Sequence, residues 1–182
     1  MVKTSVDQDN LINLITSYIR TKDSLDVNIA PELELKFGTR GKRTITKIEF
    51  DRVVKRFLSL GFKQENGELY LLRINPEDTE NNVRVELSGL SLIQSYCKTN
   101  ILPTQDVRGL KFITKNYPSD DLVNPVDFDA FNFRVSYQLE TNLDSTDSTV
   151  KRLIDAWSSR KKTFRLINRY SYKHSSYPFR LD

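Results

Sequence analysis

The chain reads as an α+β fold, mainly an antiparallel β tunnel or barrel with packing helices on the outside. Three observations carry this expectation. Short segments that alternate apolar and charged residues recur from Pro31 onward, bounded by turn residues. Three stretches instead space their apolar residues at i, i+3, i+4 and i+7, as amphipathic helices do. Finally, at least five of the expected strands carry cations opposite their apolar side, and three of those also carry carboxylates. Helices that bury their apolar stripes against the outside of a curved sheet turn those charged faces inward.

Size and composition permit such a body. With 182 residues the chain is long enough for one domain with its own core, and 28 Lys and Arg against 24 Asp and Glu leave a net charge of only +4. The placement of charge therefore matters more than its sum. A single cysteine, Cys97, excludes an internal disulfide, and with one histidine there is no His/Cys cluster for zinc. Any metal would be hard and oxygen-ligated. No apolar run approaches the roughly 18 residues of a membrane span, so an intracellular, non-secreted protein with no membrane partner is expected. The whole chain, 1–182, is expected to be one domain, with a helical lead-in over 1–30 and tunnel strands from 31.

In chain order, Leu11, Ile12, Leu14, Ile15, Tyr18 and Ile19 predict a helix over 9–20. Pro31 ends a polar linker, and Glu32-Leu33-Glu34-Leu35-Lys36 follows as a strand whose Glu32, Glu34 and Lys36 share one face. That face is either solvated, or a site in which two carboxylates hold a metal beside a lysine that holds an anion. Gly38 to Gly41 breaks the strand; Arg40 and Lys42 there could cradle a phosphate, although a plain turn explains them as well. Thr46 with Glu49 forms a capping box for a second helix that ends before Gly61.

Strands are then expected at 69–74, 83–87, 92–99 and 110–115. The third of these sets Tyr96 and Lys98 on one face. The acidic, proline-containing stretch 117–129 reads as a long loop. Phe131 to Glu140 is the longest clean alternation, with Arg134, Ser136, Gln138 and Glu140 on one side. A third helix begins at Asp147 or Ser148, and its Trp157 is expected to anchor the core. Thr163 to Lys173 sets Arg165, Arg169, Ser171 and Lys173 against Phe164, Leu166, Tyr170 and Tyr172, and Arg180 and Asp182 lie on a last strand.

An inward-facing ionic surface is costly unless a ligand compensates it. A polyphosphate with a divalent metal would do so, since arginine pairs bidentately with phosphate and carboxylates hold Mg²⁺ or Mn²⁺. The expected chemistry is attack of water on a terminal phosphate.

The segments PELELKFGTRG (31–41), VRVEL (83–87), QSYCKTN (94–100), NFRVSY (132–137), NRYSY (168–172) and YPFRLD (177–182) together resemble, in order, the triphosphate tunnel metalloenzymes. The likeness is to the metal-dependent RNA 5'-triphosphatases of fungal and large-DNA-virus, including giant-virus, mRNA capping enzymes. The resemblance implies that Glu32 and Glu34 are metal ligands for Mg²⁺ or Mn²⁺. It implies that Lys36, Arg84, Lys98, Arg134, Arg169, Lys173 and Arg180 line the tunnel and contact the triphosphate. Glu140 would position the attacking water and Asp182 would support neighbouring cations, while Arg165 and Glu86 are candidates only by their facing. The implied reaction removes the γ-phosphate of 5'-triphosphate RNA to leave the diphosphate end, the first step of mRNA capping. The family has a second E-x-E strand beyond the position of Asp182, so the chain is expected to be the N-terminal fragment of a longer capping enzyme. Its parent would carry linked guanylyltransferase and methyltransferase domains. Two other readings stay open, an inorganic or nucleoside triphosphatase of the same tunnel fold and a non-catalytic RNA- or partner-binding barrel.

Overall fold

Alternation in the segment IAPELELKF produces the edge strand β1 (Ile29–Phe37) from which the sheet is built inward. The computed structural model describes residues 3–38, 45–77, 82–103, 107–118, 124–129, 132–177 and 180–181. Asp182, Arg40 and Lys42 lie outside the described residues. The remaining strands are β2 (Lys63–Pro76), β3 (Arg84–Ser88), β4 (Leu110–Asn116), β5 (Val126–Phe128), β6 (Phe133–Leu143), β7 (Lys162–Lys173) and β8 (Arg180–Leu181). The helices are α1 (Lys3–Thr21), α2 (Lys47–Ser59), α3 (Leu90–Thr99) and α4 (Ser148–Asp155). All ladders are antiparallel, in the order β1-β6-β4-β3-β2-β7-β8, with β5 also pairing β6. The expected α+β architecture, an antiparallel sheet with helices on one side, is observed. Its path ends in β1 and β8, which do not pair with each other among the described residues.

The helices lie on the apolar face. Near β1, α1 buries Leu14 against Val126, Val135 and Tyr137. Thr21 Oγ1 donates to the Ser17 carbonyl at 2.8 Å, so the Tyr137 hydroxyl, 2.5 Å from Thr21 Oγ1, is the donor in that contact. Further along the sheet, α3 and α4 cover β2, β3 and β4 through Ile93, Tyr96, Val150 and Leu153, with Trp157 buried among them as expected. At β7, α2 sets Phe50 near Tyr170 and Phe57 near Tyr172. Its capping box forms as the sequence predicts: Thr46 Oγ1 accepts from the Glu49 amide and the Glu49 carboxylate accepts from the Thr46 amide.

The strand expected at 92–99 is a helix. Leu92, Ile93, Tyr96 and Cys97 fit a 3.6-residue period better than alternation, Gly89 precedes the helix, and Asn100 ends it in the left-handed region with φ 53°. A second departure is β5, three residues inside the stretch read as a loop, which had too few residues to show a period. A third is β2, which starts at Lys63 and shifts register between Glu65 and Leu69. Where α3 returns to β4, Gly109 has φ +98°, and a Cβ there would stand 2.6 Å from the Ser88 carbonyl oxygen, so only glycine fits this crossing.

Because α1 buries Leu14 completely, truncating it removes the centre of that contact. Leu14→Ala is expected to destabilise the protein by about 2–5 kcal/mol, read as a lowered midpoint in urea unfolding with an unchanged m-value.

Candidate active site

Residues directly opposite in an antiparallel ladder project from the same face, so the register defines the charged surface strand by strand. Glu32, Glu34 and Lys36 on β1 stand opposite Gln138, Ser136 and Arg134 on β6. Glu140 on β6 stands opposite Lys115 on β4, Lys111 on β4 opposite Glu86 on β3, and Glu86 opposite Arg73 on β2. Arg73 in turn stands opposite Arg165 on β7, with Arg169 and Lys173 further along that strand. One continuous face thus carries charge across six strands, and it is the face opposite the helix contacts.

Within it, three clusters form. The Lys115 ammonium lies 2.5 Å from Glu32 Oε2 and 3.5 Å from Glu34 Oε1, and Lys36 lies 2.6 Å from Glu34 Oε2. On the central strands, Arg84 donates from a terminal guanidinium nitrogen to Glu140 Oε2 at 3.0 Å, while Arg73 Nε donates to Glu86 Oε1 at 2.7 Å. Arg84 Nε is 2.9 Å from the same Glu86 oxygen, close enough for charge attraction but not aligned for a hydrogen bond. Toward β5, Arg134 makes a two-pronged pair with Asp127 at 2.6 and 2.5 Å.

The central cluster is the most sheltered: the side chains of Glu86, Arg84 and Glu140 are 11%, 15% and 17% exposed. Ions in so sheltered a position are stable only when paired, and these are. Ile113 and Leu71 also belong to this face by register and are buried. Burial pushes the Glu34 carboxyl upward, but the close contact with the Lys36 ammonium and the charge of Lys115 outweigh it, leaving Glu34 below the usual carboxylate range.

The structure therefore brings together Glu32, Glu34, Lys36, Arg84, Arg134 and Glu140. Arg169 and Lys173 share the face two strands beyond Arg84, and Lys173 lies 3.9 Å from Glu65. Arg180 stands opposite Lys173 in the β7–β8 ladder. Lys98 is a correction: it sits exposed on α3, whose Ile93 and Tyr96 pack on the apolar side, so it is on the wrong side of the sheet to line this face. Two central residues, Lys115 and Arg73, were not singled out from the sequence. The alternation of Lys111, Ile113 and Lys115 against Phe112 and Thr114 was the available signal, and the apolar Ile113 obscured it.

A cation pinned between Glu32 and Glu34 tests what these residues accept. The ammonium of Lys115 stands in for an ion, and the donors around it are carboxylate oxygens, which suit Mg²⁺ or Mn²⁺. Among the described residues no group of three or more His, Cys, Asp or Glu side chains is positioned to hold a metal. The pair would thus supply two protein oxygens, in keeping with the habit of Mg²⁺ of taking one or two carboxylates together with phosphate and water.

The depressed Glu34 carboxyl fixes a pH dependence. A lowered folded-state value contributes stability that is complete above the unfolded value and lost as pH falls through the folded one. The stability difference between the protein and Glu34→Gln should therefore be constant above about pH 6 and shift against the wild type as pH falls through the carboxylate range near 4, measured by denaturant unfolding across pH.

No family model matches the chain, and no curated protein does. Solved structures do match it, among them two of a viral capping-enzyme triphosphatase. One is the crystal structure of the RNA triphosphatase domain of a trifunctional mimivirus mRNA capping enzyme, 17% identical with TM-score 0.58, covering 90% of this chain and 72% of that chain. The other is a triclinic structure of the Mimivirus capping enzyme triphosphatase, 15% identical with TM-score 0.57, covering 90% of this chain and 72% of that chain. At these identities the likeness is one of fold, and in fold the chain resembles the triphosphatase domain of a giant-virus mRNA capping enzyme.

Proposed function

We propose that this chain is a metal-dependent RNA 5'-triphosphatase domain that hydrolyses the γ-phosphate of 5'-triphosphate RNA, the first step of mRNA capping. The observation that carries the reading is the carboxylate pair Glu32 and Glu34 closed on a cation, beside the Arg84–Glu140 pair on the same helix-free face. The fold likeness to the mimivirus triphosphatase domain supports it. By the same likeness we place the chain beside the other activities of a trifunctional capping enzyme, in an intracellular setting. No described helix is long and apolar enough to cross a membrane.

In this reading Glu32 and Glu34 hold Mg²⁺ or Mn²⁺, which when bound supplies neutralisation of phosphate charge. Arg84 and Arg134 offer held donors to the triphosphate oxygens, Lys36 and Arg165 add movable cations beside them, Arg169 and Lys173 extend the cationic track along β7, and Arg180 on β8 is assigned to the triphosphate by the family resemblance. Glu140 accepts a hydrogen bond from the attacking water. The oxygen of water bonds to the γ-phosphorus with loss of a proton to solvent, the bond to the bridging oxygen breaks with its electron pair, and diphosphate-ended RNA and inorganic phosphate leave. Preorganised charge carries most of the acceleration, because guanidinium groups already held by Glu86, Glu140 and Asp127 need little reorganisation.

Release of phosphate from triphosphate-ended RNA should require Mg²⁺ or Mn²⁺. Glu32→Ala and Glu34→Ala should each lose more than the roughly 10- to 100-fold typical of outer partners of a metal site. Arg84→Ala should lose about 10²–10³-fold in kcat, the scale for one preorganised donor. Full activity in Glu32→Ala or Glu34→Ala would sink the reading. Competition among RNA, ATP and tripolyphosphate distinguishes an RNA end from a free triphosphate as substrate, and salt-sensitive RNA binding without turnover would mark a binding module instead.

A further inference from the structure

Lys115 is placed on β4, yet its ammonium reaches past β6 to the acidic pair of β1, 2.5 Å from Glu32 Oε2 and 3.5 Å from Glu34 Oε1. Glu32 and Glu34 are two residues apart on one strand and leave the same face, where two ionised carboxylates repel unless a cation stands between them. We propose that Lys115 is a built-in counter-ion that keeps this pair closed in the metal-free protein and must withdraw for a divalent cation to enter. The proposal deepens the function given above and rests on its assignment of Glu32 and Glu34 as the metal-holding pair.

Space and charge both require the exchange. A Mg²⁺ ion binds carboxylate oxygens at about 2.0–2.1 Å, no farther than the 2.5 and 3.5 Å at which the Lys115 ammonium stands from the same two carboxylates, so an ion shared by the pair would meet the ammonium at close range. Two carboxylates balance one divalent ion, so retaining Lys115 beside it would leave surplus positive charge on a surface already rich in Arg and Lys. Lys36 also touches Glu34, but its side chain is 57% exposed and can turn to solvent, whereas that of Lys115 is 20% exposed. The register provides Lys115 with somewhere to go. It stands directly opposite Glu140, and directly opposite side chains start about 5 Å apart. Withdrawal from Glu32 thus moves the ammonium toward the carboxylate that already receives Arg84, adding a second cation beside the group assigned to position water. Metal entry and the arrangement around Glu140 become one exchange of partners.

Competition of this kind weakens apparent metal affinity by the fraction of molecules in which the pair is vacant. The test is a Mn²⁺ titration of the full chain, with free Mn²⁺ counted by electron paramagnetic resonance, at fixed pH and salt. Lys115→Gln, and Lys115→Met as a second neutral variant, should bind Mn²⁺ about five- to tenfold more tightly than the wild type. Lys115→Arg, which keeps the charge, should stay within about twofold of it or bind more weakly. In the wild type, the side-chain nitrogen resonance of Lys115 should move on addition of Mg²⁺, a readout that does not depend on any variant folding. Neutral variants that bind Mn²⁺ no more tightly than the wild type, or a Lys115 resonance that Mg²⁺ leaves unchanged, would overturn the proposal. So would undiminished Mn²⁺ binding by the double variant Glu32→Gln/Glu34→Gln, which also removes the metal assignment. If metal binding follows the expected pattern while RNA releases no phosphate, the exchange stands and the triphosphatase reading alone falls.

Discussion

A sheet face that none of the described helices covers has to balance its own charge, and here most of that balance is struck between strands, with Lys36–Glu34 and Arg84–Glu86 adding contacts along β1 and β3. Glu32 on β1 is matched by Lys115 on β4, Glu140 on β6 by Arg84 on β3, and Glu86 on β3 by Arg73 on β2. Each pair joins residues distant in sequence, so the ladder register decides which charges meet. A one-residue slip of any strand would turn its charged set onto the helix-packed side. The apolar clusters under α1, α3 and α4 are what make such a slip costly, since they fix which face each strand buries.

The ion pairs are not strong evidence of stability in themselves, because sheltering a charge costs about as much as pairing it returns. Their physical role is positional. A guanidinium held by Glu86 and Glu140 has little freedom to reorient, and a two-pronged contact with Asp127 fixes Arg134 in the same way. Such cations present a fixed array to an incoming anion. The lysines are different: a compact ammonium on a flexible stem exchanges partners easily. The division between held arginines and exchangeable lysines follows the chemistry of the two side chains.

Much of this was legible in the sequence where the pattern was locally pure. β1 and β6 alternate cleanly, β7 does so except where Ile167 and Asn168 break the division, and Thr46 with Glu49 marks the start of α2 without ambiguity. The same purity identified Glu32, Glu34, Arg84, Arg134 and Glu140 as residues of one kind of face. What was not legible depended on length or on distant partners. α3 spans only ten residues, too short a window for the helical spacing of Leu92, Ile93, Tyr96 and Cys97 to stand out until Gly89 and Asn100 are recognised as its ends. β5 has three residues and no period at all. Lys115 and Arg73 acquire their meaning only from register, because nothing in FITKN or LLRIN names the strand that will lie alongside.

The hydroxyl contact between Thr21 and Tyr137 has a reach beyond the packing of α1. Tyr137 lies on β6 between Ser136 and Gln138, the two residues opposite Glu34 and Glu32, with its ring turned the other way into the α1 cluster. The N-terminal helix therefore acts as a clamp behind the acidic pair, setting from the rear the strand against which that pair is aligned. In a survey of tolerated substitutions, conservatism along one stripe of α1 would then track the chemistry on the opposite side of the sheet, although the helix packs on the apolar side.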